Sequence, residues 1–253
     1  MRNLPLSGAT IVVTGSHITT SILTQIQSFG GEALSFPLIE TSEIIEPDDS
    51  VQLEMAKSFD WLIFTSQNAV NAFVNKINQH HLKALDFKGK IAAVGEKTAK
   101  LLEHHGFSVT FMPSIFSADV FVKEFPQMIE GNPQCLFIRG TKAKNTIKSG
   151  LPFFVKEWNV YETKENLSST EPLIELVQQK ENMILIFASP SAVEVYAEHI
   201  APVVGWDKVQ IAAIGHITEA AIQKYGVKVT YKPKTYTMQS VIDEIIKRED
   251  PTL

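Results

Sequence analysis

The sequence predicts an α/β protein with two doubly wound, flavodoxin-like parallel sheets related by internal duplication. Three observations predict this fold. Short apolar runs alternate with helical segments along the chain, a strand-helix-strand segment recurs in the second half, and glycines stand where helices are expected to end. We therefore expect one sheet from each set of repeated elements.

The repeat is clearest between IAAVGEKTAKLLEHHGFSVTFMP, from Ile91, and IAAIGHITEAAIQKYGVKVTYKP, from Ile211. Both copies read as an apolar strand, a glycine turn, a helix and a second strand closed by proline. Gly106 and Gly226 follow the helices, where a left-handed backbone favours glycine. LIFTSQNAV also matches LIFASPSAV, and IVVTG matches LFIRG. The resulting element order is that of a doubly wound sheet.

Composition and charge limit the function classes. The chain has 253 residues, is 44% hydrophobic and carries a formal net charge of −5. This balance argues against a nucleic-acid surface, so an anionic ligand must be held by a local set of groups. The single cysteine, Cys135, lies in an apolar run and fits a reducing compartment. With no signal core or membrane-length apolar run, we expect a cytoplasmic protein without membrane contact.

The candidate site lies in the turns that follow the repeated strands. Doubly wound sheets bind ligands outside the carboxyl ends of their strands, where helix N-termini present free N–H groups. The candidate binding residues in these turns are Ser16, Thr65, Ser66, Gln67, Asn68, Gly95, Glu96, Lys97, Thr98, Arg139, Gly140, Lys142, Ser189, Pro190, Ser191, Gly215, His216 and Thr218.

Several of these residues also have a purely structural explanation. Ser66 and Ser189 precede helices, and Ser189 followed by Pro190 is typical of an N-cap with proline at the first helical position. Capping leaves other N–H groups free, so the two roles are compatible. Thr98 and Thr218 equally fit first-turn helix residues whose hydroxyls face solvent.

Tyr161, in WNVYETKE, is the candidate catalytic residue. The repeat aligns it with Pro37, and both are predicted just after a strand. A tyrosine here can pack its ring where the chain crosses between units. Its phenol can also donate a proton or hydrogen bond to a leaving oxygen.

The motifs of several other enzyme classes are absent. Around VGEKT, five residues rather than four separate Gly89 from Gly95, and Glu96 stands in place of the P-loop lysine. No dinucleotide fingerprint or GxSxG elbow occurs. His80-His81 and His104-His105 are chain neighbours, which point apart on a helix and make poor joint metal ligands. We therefore do not expect metal catalysis.

The motifs FTSQNAV, IAAVGEKTA, IRG, VYET, ASPSAV and IAAIGHIT, in this order and at these intervals, resemble uroporphyrinogen-III synthase. The resemblance covers nearly the whole chain. It implies a discontinuous domain of residues 1–37 and 165–253 and an inserted domain of residues 41–160. A two-stranded linker near 37–41 and 160–165 would join them.

The resemblance also implies the reaction. The linear tetrapyrrole hydroxymethylbilane would cyclise to uroporphyrinogen III with loss of water and inversion of ring D, a step of haem biosynthesis that needs no cofactor. Tyr161 matches the tyrosine that assists departure of the hydroxyl. Lys97, Arg139 and Lys142 are candidate partners for the substrate's carboxylates, although each also fits a solvated surface position. We expect a monomer that makes at most a transient contact with the enzyme producing hydroxymethylbilane.

Two turns depart from the family pattern. Many members have Thr-Arg-Pro after the first strand, where this chain has Thr14-Gly15-Ser16, so an arginine contact is missing. Many have Gly-Pro-Thr-Thr where this chain has Gly215-His216-Ile217-Thr218, so only Thr218 carries over and the role of His216 stays open.

Two alternatives belong to other function classes. A non-catalytic two-lobed module that closes over a small carboxylate would bind tightly without turnover. A nucleotide enzyme would need phosphate loops, and these fail the spacing test.

Overall fold

The computed structural model describes residues 4–15 and 19–250. The strands in these ranges are β1 (Thr10–Val13), β2 (Glu32–Ser35), β3 (Ile39–Glu43), β4 (Trp61–Phe64), β5 (Lys90–Ala93), β6 (Val109–Phe111), β7 (Gln134–Gly140), β8 (Phe154–Glu165), β9 (Met183–Phe187) and β10 (Val209–Ala213). The helices are α1 (Thr20–Ser28), α2 (Asp49–Ala56), α3 (Gln67–Gln79), α4 (Glu96–His104), α5 (Ala118–Glu124), α6 (Thr146–Gly150), α7 (Thr170–Gln179), α8 (Pro190–Val195), α9 (Ala201–Val204), α10 (His216–Gln223) and α11 (Met238–Glu249).

The remaining helical segments are short 3-10 and π-helical turns. Single 3-10 turns occupy Ala84–Asp86, Phe125–Met128 and Leu167–Ser169, and a π-helical turn at Tyr196–Ile200 joins α8 to α9. No helix in the described part of the chain is long and apolar enough to cross a membrane.

The strands form two sheets. One has the order β10-β9-β1-β2 with all neighbours parallel. The other has the order β3-β8-β7-β4-β5-β6, and β8 to β6 run parallel. The repeat pairs β1 with β7, β9 with β4 and β10 with β5, and the paired strands occupy equivalent places in the two sheets. The predicted pair of doubly wound α/β sheets is confirmed.

The chain divides into two compact units. Unit 1 comprises Met1–Glu40 and Lys164–Leu253, and unit 2 comprises Thr41–Thr163. β3 and β8 each cross a boundary between the units. Within unit 2 the Ile44 N–H donates to the Val160 carbonyl at 3.0 Å, and within unit 1 the Asn166 N–H donates to the Leu38 carbonyl at 2.9 Å. These two bonds give β3 and β8 an antiparallel pairing.

Each sheet is buried on both faces, which explains its nearly continuous apolar strands. In unit 1, Val12 belongs to one buried cluster, whereas its neighbours Ile11 and Val13 belong to the cluster on the opposite face. In unit 2, Leu62 and Ile63 divide between two clusters in the same way. Helices therefore cover both faces of each sheet.

The structure confirms the predictions for two helix-ending glycines and contradicts those for one strand and for the position of Tyr161. Gly106 and Gly226 have φ of 86° and 73°, as expected after a helix. The strand predicted in VTYKP of the second copy is wrong, because only a bridge between Ala212 and Tyr231 forms there. The prediction that Tyr161 follows the end of a strand is also wrong. β8 continues to Glu165, since it leaves β7 and pairs onward with β3.

A buried lysine anchors α3 in unit 2. Lys76 is fully buried, and its ammonium donates to an Asp49 carboxylate oxygen at 2.5 Å and to the Ile44 carbonyl. Asp49 in turn accepts the Glu46 N–H at 3.2 Å. Because a buried charge is costly without a partner, these contacts make α3, the start of α2 and the segment after β3 interdependent.

Replacing this lysine tests that interdependence. We expect Lys76→Met to lower the free energy of unfolding by about 3 kcal/mol, because Asp49 would remain buried without its partner. Denaturant unfolding would measure the change. Lys100→Ala, which removes an exposed pair with Glu96, is the control and should leave the unfolding midpoint unchanged. Equal midpoints for wild type and Lys76→Met would contradict the role of the buried lysine.

Candidate active site

Three candidate turns of unit 2 lie at one edge of its sheet. β4 ends at Phe64, β5 at Ala93 and β7 at Gly140, and these three strands are parallel. Their carboxyl ends therefore share one edge, where doubly wound sheets bind ligands. The turn after β4 contributes Thr65, Ser66, Gln67 and Asn68, of which Gln67 is exposed and the others are half-buried.

Gly140 supports the ring of Tyr161. The two residues are register partners on β7 and β8, directly after a shift in the strand register. A Cβ placed on Gly140 would lie 2.7 and 2.8 Å from two ring carbons of Tyr161. Only glycine lets the phenol ring lie this close to the end of β7. Gly140 thus positions Tyr161, a role that the sequence did not predict.

Ser66 holds the other end of the same tyrosine. Its Oγ lies 3.1 Å from the Tyr161 hydroxyl and accepts the Ala69 N–H at 3.2 Å, which caps α3. The predicted N-cap is therefore confirmed. When Ser66 donates its only hydroxyl proton to the Tyr161 oxygen, the phenol proton remains free for a third group. Both ends of the half-buried Tyr161 side chain are fixed within unit 2.

The turn after β5 offers backbone and charged groups. Gly95 occupies the N-cap of α4 without a side-chain cap, which leaves first-turn N–H groups available. Glu96 pairs with Lys100 at 2.7 Å, and the hydrogen bond from Lys100 lowers the pKa of the Glu96 carboxyl. A carboxylate here would repel an anionic ligand, so exposed Lys97 fits such a ligand better. Thr98 is buried, and the alternative of a solvent-facing hydroxyl is wrong.

Arg139 is committed to contacts inside unit 2. Its side chain is 7% exposed, and its guanidinium forms an ion pair with Glu157 and donates to the Ala143 carbonyl. The structure therefore argues against Arg139 as a free partner for a ligand carboxylate. Lys142, two residues after the end of β7, is exposed. In the described residues no acidic side chain pairs with Lys142.

The turn after β9 belongs to unit 1. Ser189 caps α8 by accepting the Ala192 N–H at 3.3 Å, and Pro190 is the first helical residue, as predicted. Ser191 follows and is half-buried. Ser16, the other serine predicted for unit 1, lies outside the described residues.

The turn after β10 places polar and aromatic groups together. Gly215 is the N-cap of α10, His216 is its exposed first residue, and Thr218 is buried rather than solvent-facing. The His216 and Tyr236 rings lie 5.3 Å apart, measured between centroids. The sequence analysis did not select Tyr236, because its proximity to Gly215 depends on chain segments 21 residues apart.

A separate cavity of about 780 Å³ lies at the opposite edge of the unit 2 sheet. Its lining includes Trp61 and Lys90, which begin β4 and β5, together with Lys57, Asp60 and Gly89. This cavity is at the amino ends of the strands and is not part of the candidate site. In the parts of the chain that the structure describes, no three His, Cys, Asp or Glu side chains are grouped to hold a metal ion.

The contact between Gly140 and Tyr161 can be tested by a mutational cycle. We expect Gly140→Ala to lower the free energy of unfolding by about 2 kcal/mol, because the new methyl group overlaps the Tyr161 ring. In a Tyr161→Ala background the same substitution should cost little. Denaturant unfolding of the four proteins would measure both effects. An undiminished cost in the Tyr161→Ala background would place the clash elsewhere.

The Arg139 ion pair predicts a pH dependence of stability. Burial alone would raise the pKa of Glu157, but hydrogen bonds from Lys148 and Arg139 outweigh it and hold the pKa below the ordinary 4.5. A depressed pKa adds stability above the unfolded value, and this part is lost as pH falls through the folded value. We expect the stability advantage of wild type over Glu157→Gln to be constant at neutral pH and to shrink below about pH 4.5. A difference independent of pH would contradict this.

Sequence comparisons identify one family, and a solved structure matches the fold. The profile of the family "Uroporphyrinogen-III synthase HemD" matches residues 21–243. Uroporphyrinogen-III synthase of Chlorobaculum parvum is 30% identical over 90% of this chain and 94% of its own, and that of Synechococcus elongatus is 28% identical over 96% of each. A mutant uroporphyrinogen III synthase from Thermus thermophilus matches in fold, with a TM-score of 0.72, 17% identity and coverage of 97% and 100%. The chain belongs to the uroporphyrinogen-III synthase family.

Proposed function

We propose that this chain converts hydroxymethylbilane to uroporphyrinogen III, as a cyclising lyase of tetrapyrrole biosynthesis. Membership of the family supports the reaction. The observation within the chain that carries the proposal is Tyr161, whose ring rests on Gly140 and whose hydroxyl bonds to Ser66 at the carboxyl edge of the unit 2 sheet. The alternative of a non-catalytic binding module has no support from the relatives.

The first chemical step is loss of the substrate's hydroxyl group. The adjacent pyrrole nitrogen supplies electron density as the C–O bond breaks, and the departing oxygen takes up a proton and leaves as water. The substrate is left as a protonated azafulvene, an electrophilic cation. In the proposed role, the Tyr161 phenol donates its hydrogen bond or proton to that oxygen, while the Ser66 hydroxyl donates to the phenol. Proton transfer from a positioned group contributes about 10² to 10⁴ in rate.

The substrate's acetate and propionate arms require anion-binding groups. In unit 2 we assign this role to the first-turn N–H groups of α4 after Gly95, with the exposed Lys97 and Lys142 as cationic partners. In unit 1, the turn at Gly215 offers first-turn N–H groups of the same kind. Local groups of this type account for anion binding by a chain with a net charge of −5.

Ring closure then depends on positioning. The azafulvene is attacked from within the same molecule, so the proposed reaction uses no metal and no organic cofactor. The enzyme must hold the chain of pyrroles so that the inverted ring D closes faster than the unrearranged ring. Fixing two reacting groups of one molecule in a productive geometry is a large source of rate acceleration.

The proposal also covers the domains, the compartment and the oligomeric state of the chain. We propose that residues 1–37 with 165–253 form a discontinuous domain, that residues 41–160 form an inserted domain, and that β3 and β8 link them. We also propose a cytoplasmic monomer that contacts the preceding enzyme only transiently. Cys135 is buried, and this burial raises the pKa of its thiol to about 12 and keeps it unreactive.

The reaction is tested by its product isomer. Hydroxymethylbilane would be generated in situ, the purified chain added without metal or cofactor, and the oxidised porphyrin isomers separated. We expect an excess of the type III isomer over the type I isomer that forms spontaneously. Only type I from folded protein would overturn the proposed activity.

Tyr161→Phe separates catalysis from binding. We expect turnover to fall about a hundredfold, because the phenylalanine keeps the ring on Gly140 but removes the proton donor. Product affinity should change by less than about fivefold, the effect of one hydrogen bond. Turnover would be measured in the coupled assay and affinity by porphyrin fluorescence. An unchanged rate would remove Tyr161 as the acid and leave positioning to carry the catalysis.

A further inference from the structure

Tyr236 lies on the N-cap of α10 with much of its ring in solvent. It precedes α11 by two residues and is 51% exposed. A Cβ placed on the buried Gly215 would lie 3.0 to 3.2 Å from three ring carbons of Tyr236. One face of the ring therefore packs on the Gly215 backbone, and about half of the residue remains exposed to solvent.

This packing resembles that of Tyr161 on Gly140 in unit 2. In each unit a tyrosine ring covers a glycine at the carboxyl edge of a parallel sheet. The hydroxyl groups differ, because Tyr161 bonds to Ser66, whereas the Tyr236 hydroxyl has no hydrogen-bonding partner among residues 4–15 and 19–250. The Tyr236 side chain is thus held by its ring, while its hydroxyl has no partner in the described residues and about half of the residue stays exposed.

The neighbours of Tyr236 suit a flat ligand with apolar faces. His216 contributes an exposed ring 5.3 Å away, and the next residue, Ile217, is 47% exposed. By contrast, the 44%-exposed Tyr225 lies at the other end of α10 and stacks on Trp206. The aromatic group at Gly215 is therefore a surface at the ligand-binding edge of unit 1 and is not the margin of a buried aromatic cluster.

We propose that Tyr236 is a substrate-contact residue whose free ring face covers one pyrrole ring of the linear tetrapyrrole. This assignment rests on the proposed synthase function and adds a residue to its site. Pyrrole rings are flat and present apolar faces, which suits stacking on a phenol ring. The substrate also becomes cationic when its hydroxyl leaves with a proton, and a cation is attracted to the face of an aromatic ring.

The free hydroxyl of Tyr236 is not required for this contact. The face of the ring carries the interaction, and tyrosine and phenylalanine present similar faces. The assignment therefore distinguishes Tyr236 from Tyr161, where loss of the hydroxyl alone removes the proposed proton donor. The same change, tyrosine to phenylalanine, is therefore expected to lower activity at Tyr161 and to leave it nearly unchanged at Tyr236.

Three variants test the assignment: Tyr236→Ala, Tyr236→Phe and, as the matched control, Tyr225→Ala. We expect Tyr236→Ala to raise the KM for hydroxymethylbilane about tenfold and to weaken binding of uroporphyrin III by a similar factor. A loss of this size is expected when an aromatic stacking contact is removed. Tyr236→Phe should stay within about twofold of wild type. Tyr225→Ala should match wild type in both measurements. Thermal unfolding would confirm that each variant is folded.

The outcomes separate this assignment from the synthase function. If wild type forms the type III isomer and Tyr236→Ala keeps the wild-type KM, the contact is overturned and the synthase function stands. If Tyr236→Phe loses as much as Tyr236→Ala, the ring face is not the contact and the proposal also fails. If wild type forms only type I, the synthase function fails, and this assignment fails with it.

Discussion

The close approach of Tyr161 to Gly140 is the contact on which the proposed site depends. It arises where the register between β7 and β8 shifts, so that Gly140 and Tyr161 become partners on neighbouring strands. The ring can lie there only because Gly140 has no side chain. Ser66 then fixes the hydroxyl while it caps α3. A strand irregularity, a glycine and a helix cap together place one phenol at the carboxyl edge of the sheet.

The repeat gives the two units equivalent strand ends that carry different side chains. In the repeat, Gly15 corresponds to Gly140 and Pro37 to Tyr161. A Cβ on Gly15 would meet the side chain of Ala188 at 3.3 Å, where Gly140 meets a tyrosine ring. The proposed acid is therefore specific to unit 2. Unit 1 keeps the helix N-termini at equivalent strand ends, which suits binding more than proton transfer.

The sequence predicts the fold well because its signals are local or repeated. The order of strands and helices along the chain follows from the repeat, and the N-caps at Ser66 and Ser189 follow from serine ahead of a helical segment. The predictions fail where contacts with residues distant in the sequence determine what a side chain binds or faces. Arg139 is occupied by Glu157 from the neighbouring strand, and Thr98 is turned inward by packing. A single sequence carries no signal for either contact, or for the bond between Ser66 and Tyr161.

The measurement that tests the account most directly is a mutational cycle on turnover with Ser66→Gly, Tyr161→Phe and the double variant. Glycine is well tolerated at an N-cap, so Ser66→Gly removes the hydroxyl with little loss of helix stability. If Ser66 acts through the phenol, Ser66→Gly should slow turnover in the wild-type background. It should have no further effect in the Tyr161→Phe background, where the phenol hydroxyl is absent. Independent, additive losses would contradict the claim that Ser66 holds the tyrosine for catalysis.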